Sequence, residues 1–185
     1  MADIFLALLH HPVVDRNGRL ITSAITSLDL HDIARSSRTY GVRALYVVHP
    51  ISDQREFARS VIDHWHIGYG RNFDSRRVEA LDLIEVVPDL DAAVAAAERA
   101  VGQRPELVHT SARETQGLSF AAMRERMAVE DAAPILIMLG TGFGLAPAAR
   151  ERADLALEAI RGTGDYNHLS VRAAASVILD RLRGR

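Results

Sequence analysis

The sequence predicts an α/β fold, a mostly parallel sheet with helices on both faces. Three observations predict it. Apolar runs recur along the chain, and Ile4–Leu9 and Ile135–Leu139 are apolar throughout, as strands covered on both sides are. Amphipathic stretches of helical period alternate with these runs. Turn formers such as Gly41, Pro50 and Pro105 fall between the elements rather than inside them.

Each element follows from its local pattern. Ile4–Leu9 is a buried strand, and His11–Ala24, with Pro12, Asn17 and Gly18, is a loop or hairpin. Ser27–Tyr40 is a helix with Leu30, Ile33, Ala34 and Ser37 on one face and Ser27 or Asp29 as cap. Arg43–His49 is a strand. Asp53–His66 is a helix with Phe57, Val61 and Trp65 at a spacing of four. Gly68–Arg77 is a polar loop, Leu83–Val87 a strand, Leu90–Val101 an Ala-rich helix and Leu107–Thr110 a short strand. Ser119–Ala128 is a helix and Ile135–Leu139 a strand, and a short helix follows Pro147. Leu155–Ile160 reads equally as strand or helical turn. Leu169–Leu182 closes the chain as a helix, with Val171, Ala174, Ala175, Ile178 and Leu182 inward. No repeat, low-complexity tract or linker divides the chain, so residues 1–185 are expected to form a single domain.

Composition removes several function classes. The chain of 185 residues is 48% hydrophobic, enough for a full core and too apolar for disorder. It has no cysteine, which excludes disulfides, thiolate nucleophiles and zinc ribbons. The run Ile4–Leu9 is too short to span a membrane and lacks a basic leader, so a cytoplasmic protein is expected. Net charge is −2, so no global basic field points to nucleic acid. All positive charge comes from arginine, the better residue for phosphate forks and base stacking, although a GC-rich genome is the better explanation of an Arg-rich, Ala-rich, Lys-free chain.

Three stretches carry candidate chemistry. In Leu139-Gly140-Thr141-Gly142-Phe143-Gly144-Leu145, alternate glycines directly after a strand allow backbone to approach a ligand, or simply make a tight turn. It is neither a Walker loop nor a dinucleotide fingerprint. In Ile160–Arg172, Gly162 and Gly164 precede Asp165, Tyr166, Asn167 and His168, and Ser170 starts a helix. Helix starts offer unpaired N–H donors, and the density of polar groups points to function, with a well-capped helix whose Asp165 and Asn167 only shape the turn as the alternative. In Asp29–Gly41, Arg35 and Arg38 lie three apart on an exposed face, where pairing of Asp32 with Arg35 is the bland alternative. The eight histidines show no metal-ligand spacing, so no metal is expected. No Gly-x-Ser-x-Gly elbow supports Ser-His-Asp catalysis.

These stretches, in this order, resemble the SPOUT RNA methyltransferases, closest to a stand-alone bacterial group related to the tRNA guanine-N1 methyltransferases. The matching blocks are Leu9-His-His-Pro-Val13, Ala24–Arg35, His64-Trp-His-Ile-Gly-Tyr-Gly70, Thr110-Ser111-Ala112, Gly140–Leu145 and Asp165–Arg172. The resemblance implies an α/β fold with a C-terminal trefoil knot, an exception to ordinary chain paths. It implies S-adenosyl-L-methionine bound by three loops: Thr110, Ser111 and Ala112; Leu139, Gly140, Thr141, Gly142 and Gly144; and Ile160, Gly162, Tyr166, His168, Leu169 and Ser170. Leu139, Ile160 and Leu169 would enclose the adenine. It implies a homodimer through the last helix, with Ala173–Ala175 at the contact.

The substrate implied is tRNA or rRNA, methylated at a ring nitrogen or ribose oxygen. Arg35, Asp165 and Asn167 are the candidate catalytic residues, with the choice between base and orienting role open. Arg35, Arg38, Arg71, Arg76 and Arg77 are candidate RNA contacts. Departures from the class are Asp29 where Asn is common, Phe143 where Trp is more frequent and Ala159 where Pro is. The alternatives are a non-catalytic knotted protein that binds cofactor or RNA, and an unknotted flavodoxin-like nucleotide-binding enzyme.

Overall fold

The computed structural model describes residues 1–67 and 74–184. Strand β1, Ile4–Leu9, is buried along its whole length and forms the middle of a six-stranded sheet. The other strands are β4 (Ala44–Val48), β5 (Ile84–Val87), β6 (Glu106–His109), β7 (Ile135–Gly140) and β8 (Leu155–Ala156). Their order is β5-β4-β1-β7-β6-β8, and every pairing is parallel. Two further strands, β2 (Val13–Val14) and β3 (Leu20–Ile21), pair antiparallel, which selects the hairpin for His11–Ala24.

Side chains alternate across β1, so each face has its own core. Ile4, Leu6 and Leu8 pack with α1 (Ser27–Thr39), α2 (Ser52–His66), α3 (Ser75–Leu81), α5 (Phe120–Ala128) and α7 (Val171–Arg183). Phe5, Ala7 and Leu9 pack with α4 (Leu90–Val101) and α6 (Pro147–Arg150). Burial on both faces is why β1 and β7 read as unbroken apolar runs.

Helix α1 buries Leu30, Ile33, Ala34 and Ser37 as its spacing predicts, but its cap is Thr26, whose side chain accepts from the Asp29 N–H. In α2 the buried residues are Ala58 and Ile62, one position on from the stripe that the aromatics suggested, and Phe57 is exposed. Small Ala58 lets α2 sit close to the sheet, and the larger residues flank it. The expected loop Gly68–Arg77 is in part helical. Residues 75–77 belong to α3, capped by the Asp74 carboxylate, while 68–73 and with them Arg71 lie outside the described residues. The last helix begins at Val171, with Ser170 as cap accepting from the Ala173 N–H.

The ambiguous segment after Asp154 is an edge strand with an unusual path. Leu157 N–H donates to the His109 carbonyl, while Leu118 N–H donates to the Ala156 carbonyl and Glu158 N–H to the Leu118 carbonyl. Residues 156–158 therefore lie between the end of β6 and residue 118, the two ends of the 110–117 loop. Gly117 lies where a Cβ would strike the Leu157 and Glu158 backbone, so the loop can approach the strand this closely only with glycine there.

Candidate active site

In a parallel sheet all strand exits lie at one edge. The register sets Leu9 opposite Gly140 and His109 opposite Met138, so the chain leaves β1, β6 and β7 side by side. The three predicted loops start or arrive here. Thr110 hydroxyl donates to the Met138 carbonyl at 2.9 Å, joining the first loop to β7. Asn167 Nδ2 donates to the Ala112 carbonyl at 2.9 Å, and Arg161 donates to the Glu114 carbonyl at 3.3 Å, joining the third loop to the first. Leu139 belongs to the same apolar cluster against which Ile160 and Val171 pack.

Glu114 holds the first loop. Its carboxylate accepts from the Thr115 and Gln116 N–H groups, and His109 Nε2 is 3.5 Å away. The Gln116 amide chiefly holds the Glu114 carboxyl below its usual range, and burial pushes the His109 imidazole down as well.

The glycine loop is built on the hairpin. Phe143 N–H donates to the Val14 carbonyl and Val14 N–H to the Gly144 carbonyl, both at 3.0 Å. Ala146 N–H donates to the Pro12 carbonyl. Thr141 hydroxyl meets Ser23 hydroxyl at 2.5 Å and donates to the Leu9 carbonyl at 3.1 Å. Gly142 has φ +60°, and a Cβ there would lie 3.0 Å from the Val14 carbonyl oxygen. Its smallness is thus demanded by the hairpin and the turn. The sequence left a ligand and a tight turn both open at Gly142, and the hairpin partner was invisible in it.

Segment 159–169 behaves differently. Among the described residues its backbone makes no backbone hydrogen bonds, and open space surrounds Gly162 and Gly164. Asp165, Tyr166, His168, Leu169 and Ser170 are exposed, and the Tyr166 and His168 rings meet edge to face. Unpaired amides and carbonyls beside Leu139, Ile160 and Leu169 suit a ligand that is half heterocycle, half polar chain. S-adenosylmethionine is such a ligand, and these residues fit it.

Arg35 is exposed on α1 and lines a groove of about 460 Å³ with Asp32, Ser36, Thr39, Tyr40, Arg172 and Ser176. Buried Asp29 accepts from the Thr26 hydroxyl and from Arg172 at 3.1 Å, and Arg172 also reaches Asp32 at 3.4 Å. Asp32 therefore pairs with the last helix and not with Arg35. Of the other expected RNA contacts, Arg38 is paired with Glu79 and Arg77 lies over the Trp65 ring. Arg76 is exposed.

Two residues at this edge escaped sequence reasoning. His49 accepts from the Ile51 N–H at Nδ1 and reaches the Ser23 carbonyl from Nε2 at 3.0 Å, which fixes a neutral ring protonated at Nε2. His10 lies 5.6 Å from it, fully buried, and neither ring nitrogen has a partner among the described residues. Burial first, then the neighbouring His49, lowers His10 from 6.5 to about 4. The signal for both was a histidine placed directly after an apolar strand.

A family model described as SAM-dependent RNA methyltransferase matches residues 3–184. The chain belongs to that family. It is 42% identical over 182 residues to a "tRNA (guanine-N(1)-)-methyltransferase" of Nitratidesulfovibrio vulgaris, covering 98% of this chain and 42% of that protein. It is 39% identical over 184 residues to an uncharacterized protein of Aquifex aeolicus, covering 99% and 89%. The chain thus spans less than half the length of the named relative. A probable methyltransferase from Bordetella pertussis Tohama I has the same fold at TM-score 0.62 and 17% identity, covering 98% and 93%. The SpoU methyltransferase AviRb from Streptomyces viridochromogenes, solved with the cofactor AdoMet, matches at TM-score 0.54 and 20% identity, covering 98% and 59%. The family match and the SpoU fold bear out the SPOUT resemblance and exclude the flavodoxin-like alternative. No helix among the described residues is long and apolar enough to cross a membrane.

Proposed function

We propose that this chain transfers a methyl group from S-adenosylmethionine to a nucleotide of tRNA, as one cytoplasmic SPOUT domain over residues 1–185. The observation that supports this most is the unpaired backbone of 159–169, tied by Asn167 to the first loop. Thr110, Ser111, Ala112, Leu139, Gly140, Thr141, Gly142, Gly144, Ile160, Gly162, Tyr166, His168, Leu169 and Ser170 would hold the cofactor. The position of 156–158 between the two ends of the 110–117 loop supports the trefoil knot. The homodimer would form at the groove between α1 and α7, and the position of Ala173 on its wall supports this. The tRNA substrate rests on the name of the N. vulgaris relative.

When bound, the cofactor supplies an electrophilic sulfonium methyl, so the protein's work is position and electrostatics. Asn167 clamps the first loop to the third and is a positioning residue. Asp165, exposed beside it, is placed to accept a proton from the acceptor nitrogen or to orient it. Arg35, free of a carboxylate among the described residues, is placed to bind the acceptor RNA across the dimer groove.

Methyl transfer from labelled S-adenosylmethionine to tRNA of a deletion strain, with mass spectrometry of its nucleosides, tests this. Transfer to one nucleotide that the deletion strain leaves unmethylated is the expected result. The short coverage of the N. vulgaris protein favours a second reading, in which the named activity lies in its unmatched part and this chain binds cofactor and RNA without catalysis. Binding of S-adenosylhomocysteine with no transfer would establish that reading instead.

A further inference from the structure

The hairpin does more than carry the glycine loop. Its tip is a preset turn: Asp15 carboxylate accepts from the Asn17 and Arg19 N–H groups at 2.8 and 2.9 Å, and Gly18 takes φ +77°. Arg16 and Arg19 are exposed at that tip. Arg38, Arg126, Arg152 and Arg172 are each held by a carboxylate. Arg16 and Arg19 have none within ion-pair distance among the described residues.

Beside them lies an exposed apolar strip. Leu20 pairs with Val14, and the Val14 carbonyl accepts the Phe143 N–H, so Leu20, Val14 and Phe143 lie across three adjacent backbone segments. Leu20 is 60% and Phe143 54% exposed. An exposed aromatic on a loop bonded to the hairpin, near two arginines without carboxylate partners on a hydrogen-bonded turn, is the combination that binds single-stranded nucleic acid. The ring stacks a base and the guanidiniums track the phosphates. The net charge of −2 gives no general attraction to RNA, so affinity has to come from such local clusters.

We propose that the β2–β3 hairpin tip and Phe143 form a platform for an unpaired segment of the substrate RNA, with a base on Phe143 and phosphates on Arg16 and Arg19. This rests on the methyltransferase reading above. Because Phe143 belongs to the glycine loop, the platform would deliver an unstacked nucleotide to the side of the cofactor pocket.

The test measures binding of a labelled single-stranded RNA oligonucleotide and of a tRNA transcript over a salt series, with S-adenosylhomocysteine affinity by calorimetry alongside. The Arg16→Ala/Arg19→Ala variant should bind both RNAs at least tenfold more weakly. Its log-affinity against log-salt slope should flatten by about 1.4, roughly 0.7 for each phosphate no longer neutralised. Its affinity for S-adenosylhomocysteine should be unchanged, which shows that the fold is intact. Phe143→Ala should weaken oligonucleotide binding about tenfold, and Phe143→Trp should restore it. An arginine variant with wild-type RNA affinity and salt slope overturns the platform while leaving the methyltransferase reading in place. Wild-type protein that binds S-adenosylhomocysteine but neither RNA overturns the RNA reading itself.

Discussion

Acidification should unfold this protein through one buried ring. His10 sits at the end of the central strand, fully buried, with its pKa lowered from 6.5 to about 4. The unfolded chain takes up a proton on this residue near pH 6.5, and the folded chain refuses it until about pH 4. The stability that the neutral ring confers is complete above the unfolded value, is drawn down as the pH falls and is gone below about 4. Between pH 7 and pH 5 the linkage integral gives about 2 kcal/mol, and the full shift corresponds to about 3 kcal/mol. That is a large part of the roughly 5–15 kcal/mol that holds an ordinary domain together. His10→Leu is close in volume and removes both the proton site and the unpartnered ring nitrogens, so stability at pH 7 should be unchanged or higher. Urea unfolding of both proteins at pH 7 and pH 5 is the measurement. The wild type should lose about 2 kcal/mol more than the variant on acidification. His49, also lowered chiefly by burial, will leave the variant some pH dependence of its own. Equal losses in the two proteins would refute the account of His10.

Three further substitutions separate structural from functional roles. Ser23→Ala removes the hydroxyl that meets Thr141, so S-adenosylhomocysteine affinity should fall several-fold by calorimetry for about 1 kcal/mol of stability, with Ser23→Thr restoring it. Gly117→Ala places a Cβ on the Leu157 and Glu158 backbone, and loss of soluble protein or a destabilisation of about 3 kcal/mol or more in thermal melting is expected. Arg38→Ala breaks an exposed pair with Glu79 and should leave both RNA affinity and melting temperature within error, since such pairs contribute about 0–1 kcal/mol.

The parts of this fold legible in the sequence are those where one local rule suffices. β1 and β7 could be read because burial on both faces leaves no polar residue in the run, and α1 because its inward face follows a period of 3.6. In α2 the largest apolar residues drew the eye, yet the helix turns Ala58 and Ile62 to the sheet. Burial there is decided by how closely two elements approach, which no window of sequence contains. Gly142 makes the same point at the site. It was legible as a position needing glycine, but its partner, Val14, lies far back in the chain and could not be named. Asn167 could be seen as polar and placed near a helix start, whereas its bond to Ala112 joins two loops that only the path of the chain brings together. The motifs therefore mark where chemistry gathers, and the chain's path decides which of their atoms remain free for a ligand. At this edge the path leaves the third loop's backbone unspent and ties the second loop to the hairpin. It follows that the third loop is where cofactor recognition by backbone should be sought, while the second loop leaves its Phe143 side chain exposed.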